Sequence, residues 1–170
     1  MGEQAVRIAK IDVEKLIGML NEALAEEWLA YYQYWIGARM LEGPMRAEVE
    51  AELLLHATEE LGHAVLVADR IIQLGGTPVL NPNQWASLAR CPYAEPTDPY
   101  IEVILNQNLE GERCAIARYE EIAEYTNGKD FSTYQMAITI LNDELEHEHD
   151  IEAFLTDLNR LKEDIRKIRL

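Results

Sequence analysis

The chain has 170 residues, with 15 lysine and arginine residues against 31 aspartate and glutamate, a net charge of −16 and a pI near 4.6. That balance excludes the basic footprint of a nucleic-acid binder, and no run approaches the roughly 18 apolar residues of a membrane span. With two cysteines and no apolar core in its opening residues to act as a secretion signal, the chain is expected to be a soluble, cytoplasmic, single-domain protein over residues 1–170.

Glycine and proline divide the sequence into four long helical segments, at about 12–42, 45–74, 99–126 and 130–165. Asp12 is placed to cap the first, and Gly43-Pro44 separates it from the second. Five of the six prolines fall between Pro78 and Pro99, with Gly75 and Gly76 just before them, so residues 75–98 are expected to form the one long non-helical connection, a crossover loop. Asp98-Pro99 offers a start for the third helix, and Asn127-Gly128 a stop before Asp130 opens the fourth. Segments of about 27–36 residues are roughly 40–54 Å long at 1.5 Å per residue. Two tight joins and one connection long enough to run the length of the bundle predict an all-α, ferritin-like four-helix bundle with a crossover between helices two and three.

The buried stripe of each helix, followed at steps of three and four, is not wholly apolar. The first runs Leu16, Leu20, Leu24, Glu27, Tyr31, Tyr34, Ala38; the second Leu53, Ala57, Glu60, Ala64, Val67, Ile71. The third runs Ile101, Leu105, Leu109, Glu112, Ile116, Tyr119, and the fourth Ala137, Leu141, Glu144, His147, Ile151, Leu155. Each helix therefore puts one glutamate where a core residue belongs. The second and fourth add His63 and His147 three residues after theirs. Glu112, and not nearby Glu110, is in phase with Leu105 and Tyr119. Glu146 and His149 repeat the Glu-x-x-His spacing but lie about 200° around the helix, toward solvent.

Burying an ionised carboxylate without a partner costs several kcal/mol, and four together would exceed the roughly 5–15 kcal/mol stability of a domain. No lysine or arginine lies on the mid-helix stripes, so the counter-charge is expected to be metal. Glu27, Glu60, His63, Glu112, Glu144 and His147 supply three ligands to each of two divalent cations, and this oxygen-rich set with imidazole suits iron or manganese.

At these residues the chain resembles the ferritin-like superfamily and its bacterioferritin branch: Leu20-Asn21 through Glu27 to Gln33-Tyr34, His63-Ala64 with Arg70-Ile71-Ile72 and Leu74-Gly75, and Ile140-Leu141 through Glu144 to His147. The resemblance implies that Glu27, Glu60 and His63 hold one iron, that Glu112, Glu144 and His147 hold the other, and that Glu60 and Glu144 bridge. Leu61 replaces the haem-ligating methionine of bacterioferritins, so no haem is expected. No separate fifth helix follows the fourth, which shifts the expected homo-oligomer to a dodecameric, Dps-like cage. A cage of that size with a bacterioferritin-like site and a cysteine pair resembles the Dps-like thioferritins, in which two cysteines sit near the di-iron centre. Cys91 and Cys114 are the candidates, either as a bond or as two thiols.

The function so implied is a ferroxidase that oxidises Fe(II) with hydrogen peroxide or dioxygen and stores ferric mineral, protecting against oxidative stress. The alternatives are a non-storing peroxidase or catalase of rubrerythrin type, whose Cys-x-x-Cys module is absent, and a DNA-protecting Dps protein, which the acidic charge disfavours. His56, on the face of Glu60 and His63, reads either as an aid to iron movement or as a core histidine. Tyr34 reads as a hydrogen-bond donor to a bridging carboxylate, as a radical quencher or as core. Trp28, Trp35 and Trp85 read as packing or subunit contacts.

Overall fold

A computed structural model describes residues 3–168, and those residues are all-α. A short helix α1 (Glu3–Ile8) precedes α2 (Val13–Met40) and α3 (Arg46–Gln73). The crossover is not wholly non-helical as expected: Asn81 accepts from Asn83 N and Pro82 takes the first position of a 3-10 turn at Pro82–Gln84, which runs into the one-turn α4 (Trp85–Leu88). α5 (Ile101–Thr126) and α6 (Phe131–Ile168) complete the bundle. No helix among these residues is long and apolar enough to cross a membrane.

The helix ends follow local chemistry. Asp12 caps α2 as its sequence position suggests, its Oδ1 accepting from Lys15 N at 3.1 Å. At the other end α2 stops at Met40, two residues early, because Glu42 leaves the helix to pair with the start of α5. Its N–H donates to Pro99 O at 2.8 Å and its carbonyl accepts from Ile101 N at 2.9 Å. This bridge also delays α5. Asp98-Pro99 does not open that helix; Tyr100 remains extended, and Asp98 Oδ1 accepts from Tyr100 N at 3.0 Å. Gly43 has φ +132°, and a Cβ there would meet the Ile101 side chain at 3.0 Å, so glycine is what lets the two chains approach. α3 begins after Met45 in the left-handed region at φ 58°, without a side-chain cap. Asp130 starts α6, with Oδ1 accepting from Ser132 N and Thr133 N.

Two antiparallel hairpins, α2–α3 and α5–α6, pack face to face. The Glu42–Ile101 pairing sets the end of α2 beside the start of α5, so those helices are also antiparallel. The crossover returns along α2, where Trp85 stacks on Trp28 with centroids 5.4 Å apart. The apolar core is split in two. One cluster centres on Leu16, Leu20, Val67, Ile71, Ile122 and Ile140; the other on Leu41, Val49, Leu53, Ile104, Leu105 and Ile151. Each fully buried aliphatic side chain contributes about 1.5–3 kcal/mol, so the clusters hold the bundle closed above and below the polar layer between them.

Candidate metal centre

The layer between the two apolar clusters contains all six sequence-predicted residues. Glu27, Glu60, Glu112, Glu144, His63 and His147 are each at most 3% exposed. They fall into two overlapping groups, Glu27–Glu60–His63–Glu144 and Glu60–Glu112–Glu144–His147, whose ligand-type atoms lie within 4.8 Å of one another. His63 Nδ1 is 3.3 Å from Glu60 Oε2, 3.3 Å from Glu144 Oε1 and 3.6 Å from Glu27 Oε2. His147 Nδ1 is 3.5 Å from Glu60 Oε1, 3.3 Å from Glu144 Oε2 and 3.6 Å from Glu112 Oε2. Glu60 and Glu144 thus turn one oxygen toward each imidazole, while Glu27 and Glu112 each serve one.

The surroundings repeat the same two-fold pattern. His63 Nε2 lies 3.2 Å from Asp143 Oδ2 and His147 Nε2 lies 2.9 Å from Glu59 Oε2, so each outer nitrogen has a carboxylate and each Nδ1 faces the centre. Tyr34 donates its hydroxyl to Glu112 Oε1, and Tyr119 donates to Glu27 Oε1. Tyr34 therefore orients Glu112, not one of the shared carboxylates. The role of Tyr119 was not apparent from the sequence, although Glu-x6-Tyr occurs twice, at Glu27/Tyr34 and Glu112/Tyr119. A second repeat carried the outer carboxylates: Glu59-Glu60-x-x-His63 matches Asp143-Glu144-x-x-His147.

The electrostatics of the layer follow from burial and from its crowded charges. Burial pushes the Glu27 carboxyl well above the usual carboxylate range despite its contact with His63, with Glu60 adding to the rise. Burial and the charge of Glu144 do the same to Glu112. At Glu60 burial also acts upward, but the His147 and His63 contacts outweigh it and hold the carboxyl down to about 2. The two imidazoles resist burial and are driven upward by the carboxylates around them. Protons thus do part of the neutralising. Even so, Glu27 Oε2, Glu112 Oε2, both oxygens of Glu144 and His147 Nδ1 are buried without a hydrogen-bond partner. Orphaned carboxylate oxygens converging with two imidazoles are a donor set that fits iron.

The α2/α5 side of the centre is covered by the crossover. Glu26, next to Glu27, accepts from Arg118 Nε at 2.8 Å and Nη2 at 2.7 Å, and from Arg90 N at 2.7 Å. Gln33 Oε1 accepts from Ala94 N at 2.7 Å. Cys91 and Cys114 form a disulfide with Cα atoms 5.7 Å apart, so the pair left open by the sequence is a bond and not two thiols. Under this strap a cavity of about 40 Å³ reaches Glu27, Glu60 and Glu112. The second Glu-x-x-His spacing plays no part in the layer, since Glu146 and His149 are exposed. His56 is in the core, 1% exposed, with its ring stacked on His147 at 4.0 Å. Burial and the neighbouring His147 lower its pKa to about 3, against the pull of Glu60.

The ferritin-like domain pattern matches residues 17–161, which contain the whole centre. The chain belongs to the ferritin-like family. This ferritin-like chain is 43% identical over 150 residues to the DNA protection during starvation protein of Pyrococcus furiosus, covering 86% of the chain and 80% of that relative. It is 28% identical to the bacterioferritin of Rhodobacter capsulatus over 148 residues, 86% of each. Among solved structures it matches the dodecameric thioferritin, the bacterioferritin-related protein from Bacteroides fragilis, at 55% identity and TM-score 0.94, covering 95% of this chain and 98% of that one. Dps from Thermosynechococcus elongatus shares the fold at 17% identity and TM-score 0.80, over 84% of this chain and 90% of that one. The family is one of iron storage and protection.

Proposed function

We propose that the chain is a ferroxidase that stores iron, taking up two Fe(II) ions per chain as substrate and passing ferric product into the interior of a dodecameric cage. The observation that carries this reading is the sharing of Glu60 and Glu144, each with one oxygen toward His63 and the other toward His147, in a buried layer with no lysine or arginine. Glu27, Glu60 and His63 hold one ion and Glu112, Glu144 and His147 the other, with Glu60 and Glu144 bridging. Manganese satisfies the same donors. The resemblance to the dodecameric thioferritin at 55% identity supports the cage.

The iron pair supplies two electrons. With hydrogen peroxide as oxidant, two Fe(II), one peroxide and two protons yield two Fe(III) and two waters: the O–O bond breaks and each iron loses one electron. No unpaired electron is left to form hydroxyl radical. The protein's part is orientation and charge. His63 and His147 give up their Nδ1 protons while Asp143 and Glu59 hold Nε2–H, which fixes the tautomer that binds metal. Tyr34 and Tyr119 occupy the outer oxygens of Glu112 and Glu27, leaving the inner oxygens aimed at the centre. Four carboxylates balance two divalent ions; oxidation adds two positive charges to a buried layer without acids to match them, which favours release of the ferric product. The cavity of about 40 Å³ under the crossover has room for an oxidant the size of water or peroxide.

The name of the P. furiosus relative raises DNA protection. The −16 charge favours protection through iron oxidation over protection through DNA contact. Anaerobic Fe(II) titration followed by stopped-flow oxidation with each oxidant tests the proposal. The wild type is expected to oxidise two Fe(II) per chain in a fast phase that Glu60→Ala abolishes. A fast phase unchanged in Glu60→Ala refutes it.

A further inference from the structure

The two halves of the centre differ in what holds their unshared carboxylates. Laying the α2 sequence on that of α5 carries Glu27 onto Glu112 and Tyr34 onto Tyr119, and each tyrosine donates to the glutamate of the other helix. The same step carries Glu26 onto Gly111 and Gln33 onto Arg118, and there the likeness ends. Beside Glu27, Glu26 and Arg118 form a buried ion pair with contacts of 2.7 and 2.8 Å, and Arg118 Nη1 also reaches Glu22 at 2.9 Å. Beside Glu112 the matching pair is Gly111 and Gln33. Gln33 Nε2 donates to Asn108 Oδ1 at 3.2 Å and to Gln107 O at 3.3 Å, and no side chain extends from position 111 to meet it. Paired, charge-assisted contacts are stronger than neutral amide bonds, so the segment carrying Glu27 is gripped more firmly than the one carrying Glu112.

Neither packing nor backbone geometry calls for glycine at 111. The residue lies inside α5 with no positive φ, and a Cβ built there would meet only Gln33 Nε2, at 3.6 Å, an ordinary contact. In a helix interior glycine is less favourable than alanine, because its backbone has more freedom to lose. What the bare backbone does provide is space: Gly111 and Glu112 both line the cavity of about 40 Å³ under the crossover. Glu27 borders the same cavity, but its neighbour Glu26 is fixed there by Arg118 and by the Arg90 N–H of the crossover.

We infer that Arg118 and Gly111 are positioning residues that make the two cation positions unequal. Arg118, acting through Glu26, holds Glu27 in place, so the position served by Glu27 and His63 takes the first divalent cation and keeps it. Gly111 leaves Glu112 room to swing, so the position served by Glu112 and His147 fills second and empties first. A carboxylate already held in place loses less freedom on coordination than a mobile one, and that is the source of the difference. The inference rests on the dinuclear reading above and deepens it, assigning the order of filling and release to side chains outside the six ligands.

Crystals of the full chain test this with and without Mn(II). In metal-free crystals Glu112 is expected in more than one side-chain conformer and Glu27 in one. In protein loaded with about one equivalent of Mn(II) per chain, anomalous diffraction is expected to put most of the signal at the Glu27–His63 position, and equilibrium dialysis to give two affinities about tenfold or more apart. Excess Mn(II) fills both positions. Gly111→Ala, which favours the helix and adds one methyl in ordinary contact, is expected to narrow the gap severalfold by raising the second affinity. Glu26→Gln with Arg118→Gln is expected to narrow it by lowering the first, and Gly111→Ala keeps the test independent of how that double variant folds. Equal peaks in the half-loaded wild type, a preference for the Glu112–His147 position, or a gap that Gly111→Ala leaves unchanged overturns the inference while the dinuclear reading stands. No peak at either position in excess Mn(II) refutes the dinuclear reading itself.

Discussion

Glu26→Ala separates the strap over the centre from the centre itself. Glu26 is 7% exposed and Arg118 4% exposed, and their paired contacts at 2.7 and 2.8 Å take both charges out of water. Removing the carboxylate leaves a buried guanidinium with Glu22 at 2.9 Å as its nearest remaining acid, and frees the Arg90 N–H of the crossover. Breaking a buried pair from one side costs about 3–5 kcal/mol; because Glu22 compensates in part, the expected loss is about 3 kcal/mol. For a chain of this size that lowers Tm by about 6–12 °C. Urea unfolding of the metal-free protein followed by circular dichroism, at fixed protein concentration, measures it. Glu26→Met combined with Arg118→Met removes both charges and is expected to recover most of the loss. A Glu26→Ala cost below about 1 kcal/mol, the range of exposed pairs, or a double variant less stable than the single one, refutes the reasoning.

Replacing Cys91 and Cys114 by serine opens a loop closed over a sequence separation of 23 and is expected to lower stability by about 3 kcal/mol, with no further effect of a reductant on the variant. Asp130 is held below its ordinary pKa: burial pushes it up, but Thr133 and the Arg70 guanidinium, 2.7 Å away, pull it lower. A depressed carboxyl stabilises the fold above its unfolded pKa of about 3.9 and loses that contribution as pH falls through the folded value. Asp130→Asn is therefore expected to cost about 3 kcal/mol or more at neutral pH and to flatten the acid limb of the pH–stability curve below pH 4. Filling the proposed dinuclear centre with Mn(II) at neutral pH is expected to release about two protons or more, one from each imidazole, with the upward-shifted Glu27 and Glu112 carboxyls acting in the same direction, so affinity rises with pH. Calorimetry in buffers of different ionisation enthalpy reads that number, and release of fewer than one proton contradicts the electrostatics described above.

Much of the bundle was legible because its signals are local. Asp12, Gly43 and Asp130 mark joins through chemistry that acts within a few residues. The six polar residues on apolar stripes stand out because helical periodicity decides which side chains face inward. What escaped depends on partners distant in sequence. Pro99 looks like a helix start until Glu42, 57 positions earlier, claims its carbonyl. Glu26 looks like a solvated neighbour of Glu27 until Arg118, 92 positions later, meets it in the interior. Tyr119, Asp143 and Glu59 were within reach, since each occupies a position duplicated between the two hairpins. Comparing the hairpins with each other, and not only each with an ideal helix, exposes them.

That duplication bears on the kinetics of assembly. The α2–α3 hairpin provides one half of the six donors and the α5–α6 hairpin the other half, so neither alone presents a complete pocket for a pair of cations. Contacts within a hairpin are close in sequence and form early, whereas joining the halves waits on the long traverse between them. If the proposed centre forms only when the halves join, a divalent ion present during refolding is expected to slow unfolding more than it changes the folding rate, as stopped-flow folding and unfolding with and without Mn(II) would show.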